Sequence, residues 1–348
     1  ESDFKVKAVI RVASDDAFVY DIYPQTEKVV IGGLAIDIGT TTVSALLINM
    51  LTGDVIGKAS AGNGQIRYGA DVINRIIESV KPGGSERLQK AIIEETINPM
   101  VQQMCRATGF DPRHIYRMSV ASNTTMNHLL TGMNGDPIRM EPYIPTFYKT
   151  NSLYASDLGI TVNPDAHIIM APNIGSYVGG DITAGTLVSM IWNRPEFSLF
   201  IDLGTNGELV FGNEDFLMSC ACSAGPAFEG GDISCGMRAT DGAIEACTID
   251  AETMEPSFHV IGKEGTKPIG LCGSGIIDLL AQMRIHGWIN IAGTFNPDAS
   301  SRITYLPEES QYVVIYADAR ESALGEPLYF SQTDLSQYLD TKAAAHTM

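Results

Sequence analysis

The chain has 348 residues, 45% of them hydrophobic, enough for a large core in more than one domain. Only 18% are charged and the net charge is −18, with no clustered Lys and Arg to neutralise phosphates, which excludes a nucleic-acid binder. No apolar run reaches the roughly 18 residues of a bilayer span and no signal-peptide core opens the chain, so a cytoplasmic protein is expected.

Residues 3–31 alternate weakly and read as strands with a loop, a linker or the end of a preceding domain. The start on Glu1 and the ending AAAHTM suggest a piece of something longer. Residues 34–38 and 42–49 read as a strand hairpin, and the turn LTGD at 51–54 leads to a third strand. YGADVINRIIESV (68–80) has helical spacing. A longer helix is expected from Ser85, a candidate N-cap, towards Met104, stopping at Gly109. IYRMSVAS (115–122) reads as a strand and NTTMNHLLTG as a short helix stopped by Gly132, whereas 133–165 looks irregular. HIIMAPN (167–173) is a strand and Asp181 to Trp192 a helix. A second hairpin opens near 198, and helices are expected over 273–287 and 333–345.

The order of strand hairpin, further strand and helices thus occurs twice, which indicates a duplicated α/β domain. In each copy the first strand ends on an aspartate and breaks into glycine and threonine. In AIDIGTTT, Asp37 is followed by Gly39, where the backbone bends closely, and by Thr40, Thr41 and Thr42, whose hydroxyls and N–H groups suit phosphate oxygens. In FIDLGTNGEL the same parts fall to Asp202, Gly204, Thr205, Asn206 and Gly207. One such turn is ordinary hairpin chemistry, but two at matching points indicate a polyphosphate held from both sides. Asp37 and Asp202 would lie near a Mg²⁺, through its waters. Neither a Walker-type loop nor a dinucleotide fingerprint is present. GLCGSG, with Gly270, Cys272, Gly273, Ser274 and Gly275, leads into a helix and suits an adenosine. Asp37, Asp202 and Glu208 are the carboxylates nearest the presumed phosphates, and Glu208 or Asp181 could orient a water.

Cys105, Cys220, Cys222, Cys235, Cys247 and Cys272 include no C-x-x-C, and the six histidines no H-x-x-x-H pair. Zinc and iron–sulfur sites need such spacings, so reduced and mostly buried thiols are expected.

These motifs resemble those of the actin/Hsp70/sugar-kinase superfamily: two phosphate turns, an adenosine segment, and connecting elements at 118–130 and 334–345. The resemblance implies actin-like (ribonuclease H-like) subdomains at 32–190 and 191–348 with a nucleotide cleft between them, after the linker 1–31. NGQIRYGADVINRI (63–76), APNIGSYVGGDITAG (171–185) and CSAGPAFEGGDISCGMRATDGAIE (222–245) are similar to the nucleotide-binding domain of reductive activators of corrinoid proteins. In that family an iron–sulfur domain donates an electron to an inactive Co(II) corrinoid (cobalamin-binding) protein of a methyltransferase system. ATP use drives the uphill step to Co(I). The resemblance implies ATP and Mg²⁺ as cofactors and a corrinoid protein as partner. It also implies a homodimer, and a [2Fe–2S] cluster only in a domain outside this chain. Ser223 becomes a candidate corrinoid contact, since a hydroxyl can ligate or hydrogen-bond near cobalt. Two other readings stay open: a sugar- or polyol-type kinase using Asp181 or Asp232 as base, and a nucleotide-switched clamp without catalysis.

Overall fold

The computed structural model describes residues 5–12, 17–223 and 225–347, with the side chains of 223 and 226 outside the description. The chain falls into two compact units, one of residues 1–200 and 210–219, the other of 201–209 and 220–348.

In the first unit, β1 (Val6–Val12) and β2 (Ala17–Pro24) pair as an antiparallel hairpin. Asp21 anchors it by accepting from the hydroxyls of Tyr23 and Tyr116, each at 2.9 Å. A six-stranded sheet follows. Its strands are β3 (Gly32–Ile38), β4 (Thr42–Asn49), β5 (Val55–Gly62), β6 (Ile115–Ser122), β7 (Leu153–Tyr154) and β8 (His167–Met170), in the order β5-β4-β3-β6-β8-β7. Apolar residues alternate as strand geometry demands: Leu34, Ile36 and Ile38 of β3 and Val43, Ala45 and Leu47 of β4 are buried, while Asp37 between them is exposed. β3 pairs with β4 antiparallel and with β6 parallel, with Asp37 opposite Ala121 and Ile38 opposite Ser122. The carboxyl ends of β3 and β6 therefore lie side by side. In open α/β sheets that edge is where ligands bind.

Helix α1 (Val72–Ser79) is capped by Asp71, which accepts from the N–H of Asn74. α2 (Gly84–Ile92) starts one residue before the expected cap, because Gly83 adopts φ 66° and turns the chain there. Ser85 lies inside the helix and its hydroxyl bonds Gly132 O at 3.3 Å. The expected single helix is interrupted by a π-turn at Ile93–Ile97 before α3 (Asn98–Thr108). Pro99 offers no N–H to the preceding turn, and within the π-turn the Thr96 hydroxyl donates to the Ala91 carbonyl at 2.8 Å. Gly109 ends α3 in the left-handed conformation, as Gly132 ends α4 (Thr124–Thr131). The stretch expected to be irregular holds two single-turn helices, α5 (Asp136–Arg139) and α6 (Ala155–Leu158). α7 (Gly180–Ser189) follows β8.

β9 (Ser198–Leu203), β10 (Asn206–Gly212) and β11 (Leu217–Ser223) form a sheet in the order β11-β10-β9, and the unit boundary runs through it. The second unit adds β12 (Ala243–Ile249), antiparallel to β13 (Pro256–Val260) and parallel to β14 (Gly270–Leu271). β15 (Ile303–Leu306), β16 (Gln311–Ala317) and β17 (Leu328–Ser331) make a further sheet. Helices α8 (Gly273–Ile285) and α9 (Gln332–Thr347) enclose a core containing Trp288, Tyr316 and Phe330, all fully buried. No helix among the described residues is long and apolar enough to cross a membrane.

Candidate nucleotide site

The first turn leaves β3 at Asp37 and is tight. Gly39 N donates to Thr42 O at 2.9 Å, and a Cβ on Gly39 would lie 2.6 Å from that same oxygen, so only glycine fits. Three consecutive carbonyls of the turn are held from behind. Asn63 donates its side-chain amide to Gly39 O at 2.9 Å and its backbone N–H to Thr41 O at 2.9 Å. Between them Arg75 Nη2 donates to Thr40 O at 2.5 Å. A trans peptide points its N–H opposite to its carbonyl, so the N–H groups of Thr40 and Thr41 turn away from these donors. That is the arrangement an anion-binding turn requires.

The scaffold behind the turn is polar and buried. Asn63, Gln65 and Arg75 are 2%, 1% and 0% exposed. Burial pulls the Arg75 guanidinium down to about 10, against a smaller upward pull from Asp71. Asn123, at the end of β6, accepts from Met126 N at 2.9 Å as the cap of α4 and donates Nδ2 to Thr40 Oγ1 at 3.1 Å. Behind it, Thr124 Oγ1 donates to Gly175 O at 2.6 Å, and Asn127 Nδ2 to Asn173 Oδ1 at 2.7 Å. A Cβ on Gly179 would meet Asn123 Cα at 2.4 Å, so the segment 171–181 packs directly on the start of α4. Asp181 sits in the first turn of α7, where its Oδ1 accepts from Ile182 N at 2.8 Å.

The second turn belongs to the second unit and has a different backing. Gly204 N donates to Asn206 O and Gly225 N to Thr205 O, both at 2.9 Å. Thr205 Oγ1 donates to Glu229 Oε2 at 2.7 Å, and the other Glu229 oxygen lies 3.1 Å from where a Cβ on Gly204 would be. Asp202 is half-buried, and burial, then the charge of Glu229, holds its carboxyl above the ordinary carboxylate range. Gly207 is buried and so is Glu208, at 6% exposure, within β10.

The glycines of 270–275 are used by the chain itself. A Cβ on Gly270, Gly273 or Gly275 would meet Cys235 O at 2.5 Å, Phe228 O at 2.0 Å or Ile244 O at 2.0 Å. Their faces are filled by protein backbone, so close helix–loop packing alone accounts for these three residues. Ser274, by contrast, is exposed, with Oγ 3.3 Å from the Cys272 thiol. The loop 225–237 ties this segment to the second turn. It carries Glu229, and it pairs with β14 through Leu271 N to Cys235 O at 2.9 Å and Met237 N to Leu271 O at 2.8 Å. The buried Asp334 of α9 fixes the same loop, accepting from Ser234 N at 2.8 Å and Ser234 Oγ at 2.6 Å. Asp232, in that loop, adopts φ 58°. The Ser223 side chain lies outside the described residues.

Among the described residues no three His, Cys, Asp or Glu side chains come together as a metal site. A single strand-end carboxylate at each turn, Asp37 or Asp202, suits a Mg²⁺ that keeps most of its waters, not a protein cage. Burial pushes the thiols of Cys235 and Cys247 up to about 12 and raises that of Cys105, as for reduced thiols packed among apolar side chains.

Sequence reasoning missed Asn63, Arg75, Asn123 and Glu229. All four lie in segments that carry the family resemblance, but the partners they hold are distant in the chain.

Comparison with known proteins gives a consistent set of likenesses. A family model described as the RACo middle region matches residues 32–194. One described as the C-terminal domain of RACo, the ASKHA domain, matches 196–348. The chain is similar to the corrinoid activation enzyme RamQ of Eubacterium limosum, 33% identical over 337 residues, 94% of this chain and 56% of that protein. A [Co(II) methylated amine-specific corrinoid protein] reductase of Methanosarcina barkeri is 26% identical over 278 residues, 72% of this chain and 50% of that one. Among solved structures, a reductive activator for corrinoid, iron–sulfur protein superposes with a TM-score of 0.91 at 39% identity, covering 99% of this chain and 54% of that chain. This chain therefore spans about half the length of the relatives it matches.

Proposed function

Because this chain belongs to the RACo family and has its α/β, actin-like ASKHA fold, we propose that it is the ATP-using part of an activator returning inactive Co(II) corrinoid protein to Co(I). The observation that carries the nucleotide part is the first turn, where three successive carbonyls are drawn back by Asn63 and Arg75. The corrinoid part rests on the likeness to proteins named for that task.

In this reading Gly39, Thr40, Thr41 and Thr42 bind phosphate oxygens from one subdomain (32–190), and Gly204, Thr205, Asn206 and Gly207 from the other (191–348). Gly270, Cys272, Gly273, Ser274 and Gly275 border the adenosine, with Ser274 the exposed polar contact. Asp37 and Asp202 would hold a Mg²⁺ through its waters, and the ion would supply positive charge against the phosphates. Glu208 or Asp181 orients the attacking water, and Ser223, whose side chain lies outside the described residues, is the candidate corrinoid contact. The electron would come from a [2Fe–2S] domain outside this chain, and the working protein would be a cytoplasmic homodimer. Each 59 mV of unfavourable one-electron potential is about 1.4 kcal/mol. Partner affinity that differs by a few kcal/mol between nucleotide states can offset such a gap.

The test is Mg²⁺-dependent ATP turnover, alone and with a Co(II) corrinoid protein from the same source, with polyols assayed in parallel. Slow turnover raised by the corrinoid protein and lost in Asp37→Ala and Asp202→Ala is expected. Phosphorylated polyol would make the protein a kinase. Tight ATP binding without stimulated turnover would leave only a nucleotide-switched clamp.

A further inference from the structure

Arg75 is fully buried, yet no carboxylate pairs with it among the described residues. Its guanidinium is spent on neutral acceptors: Thr40 O at 2.5 Å, Gly69 O at 2.8 Å, Gln65 Oε1 at 3.4 Å and the Met126 sulfur at 3.4 Å. The nearest acidic influence is Asp71, whose two oxygens are taken by the backbone and side-chain N–H groups of Asn74 at 2.8 and 2.7 Å. Burying an arginine costs several kcal/mol, and a carboxylate normally offsets that cost. Carbonyl and amide oxygens satisfy the hydrogen bonds but not the charge.

The charge is also placed at a telling point. One residue of α1 reaches back 35 positions to hold the middle carbonyl of the first turn. It helps orient the peptide whose N–H turns outward, and it sets a full positive charge one peptide unit behind that N–H. Leucine or methionine would fill the space without the desolvation cost. A buried cation that orients a turn and lacks an internal counterion fits a counterion that arrives from outside.

We propose that Arg75 is the buried countercharge of the first turn, a positioning residue that acts through Thr40 to hold a phosphate group and whose charge is balanced only when that anion is bound. The inference deepens the nucleotide reading and rests on it for the identity of the anion, though not for its charge. A purely structural clamp would make a different demand, because it would support every ligand of the site equally. A countercharge discriminates by phosphate content.

The experiment is calorimetric titration of the full chain and of Arg75→Met and Arg75→Lys with adenosine, ADP, ATP and inorganic tripolyphosphate, each with Mg²⁺. Arg75→Met is expected to weaken ATP and tripolyphosphate by roughly tenfold or more. ADP should lose less and adenosine should bind as before. Arg75→Lys keeps the charge but loses the two-pronged hydrogen bonding, so its losses should be intermediate; it also serves if the methionine variant does not fold. Equal weakening of adenosine and ATP, or unchanged ATP affinity in a folded variant, would overturn the inference. If the unaltered chain bound tripolyphosphate in an Arg75-dependent way but no adenosine compound, the nucleotide reading would fall and the countercharge would stand. Failure to bind any of the anions would remove both.

Discussion

The two turns share a sequence pattern and differ in what stands behind them. The first is backed by donors, Asn63, Arg75 and Asn123, which take its carbonyls and the Thr40 hydroxyl and set one buried positive charge behind the turn. The second is fronted by an acceptor, since the Glu229 carboxylate takes the Thr205 hydroxyl and disfavours ionisation of Asp202. A repeated motif therefore does not imply a repeated electrostatic role. The first turn is built to receive an anion. The second adds the Glu229 carboxylate to that of Asp202, and a phosphate arriving there would have to displace Glu229 or have its charge offset by a cation. The two glycines differ in the same sense: Gly39 faces fixed backbone, while Gly204 faces the end of a flexible side chain.

That difference gives the largest expected effect. Gly39→Ala forces a Cβ to within 2.6 Å of Thr42 O, and neither strand of the β3–β4 hairpin can move without shifting the turn. Displacing binding groups on that scale costs roughly 100-fold in turnover. Gly204→Ala meets Glu229 Oε1 at 3.1 Å, which a rotation of the carboxylate relieves, so its loss should stay within about threefold. Nucleotide turnover and thermal melts of both variants decide this. Comparable losses would show that the second turn is as rigid as the first.

What was legible in the sequence follows the range of the interactions. Strand alternation and the stops at Gly109 and Gly132 are local signals, and the elements carrying them form where expected. Ser85 misled because a glycine pair upstream turns the chain first, and the π-turn was hidden because Thr96 and Pro99 do not disturb helical spacing. The backing residues were not legible for a different reason. Arg75 and Thr40 are 35 positions apart, and Thr205 and Glu229 are 24 apart, so their partnership exists only once the sheet and the loop are built. The glycines of 270–275 illustrate the opposite limit. Their number suggested a flat ligand, while three of them are required by packing on Cys235, Phe228 and Ile244 whatever binds nearby.

Asn123 separates the two duties of the first turn's scaffold, at a smaller scale. Its Oδ1 caps α4 and its Nδ2 holds Thr40. Asn123→Ala removes both and should cost about 1–2 kcal/mol of stability. Asn123→Asp keeps the cap, so its melting temperature should stay near that of the unaltered chain. It replaces a donor by a negative charge beside Thr40, however, and ATP affinity should fall severalfold. Were the aspartate variant to bind ATP normally, a positive environment at this turn would not be what holds the nucleotide.

The smallest expected effect tests the second turn in the absence of ligand. Burial and Glu229 raise the Asp202 carboxyl above its unfolded value, so its ionised form opposes folding. Stability from this group is therefore fully present below the unfolded carboxylate range and is lost as pH rises through the raised folded value. Asp202→Asn removes a charge that is unfavourable at neutral pH. The nucleotide-free variant should melt roughly 1–3 °C higher at pH 7, and the gain should shrink as pH falls and vanish below about pH 3, where Asp202 is protonated in both states. Glu229→Gln should deliver part of the same gain by relieving Asp202, and the double variant should gain less than the two single gains added together, because both act on one repulsion. A lower melting temperature for Asp202→Asn at pH 7 would mean that a cation or donor compensates its charge, and the electrostatic contrast between the turns would then be lost.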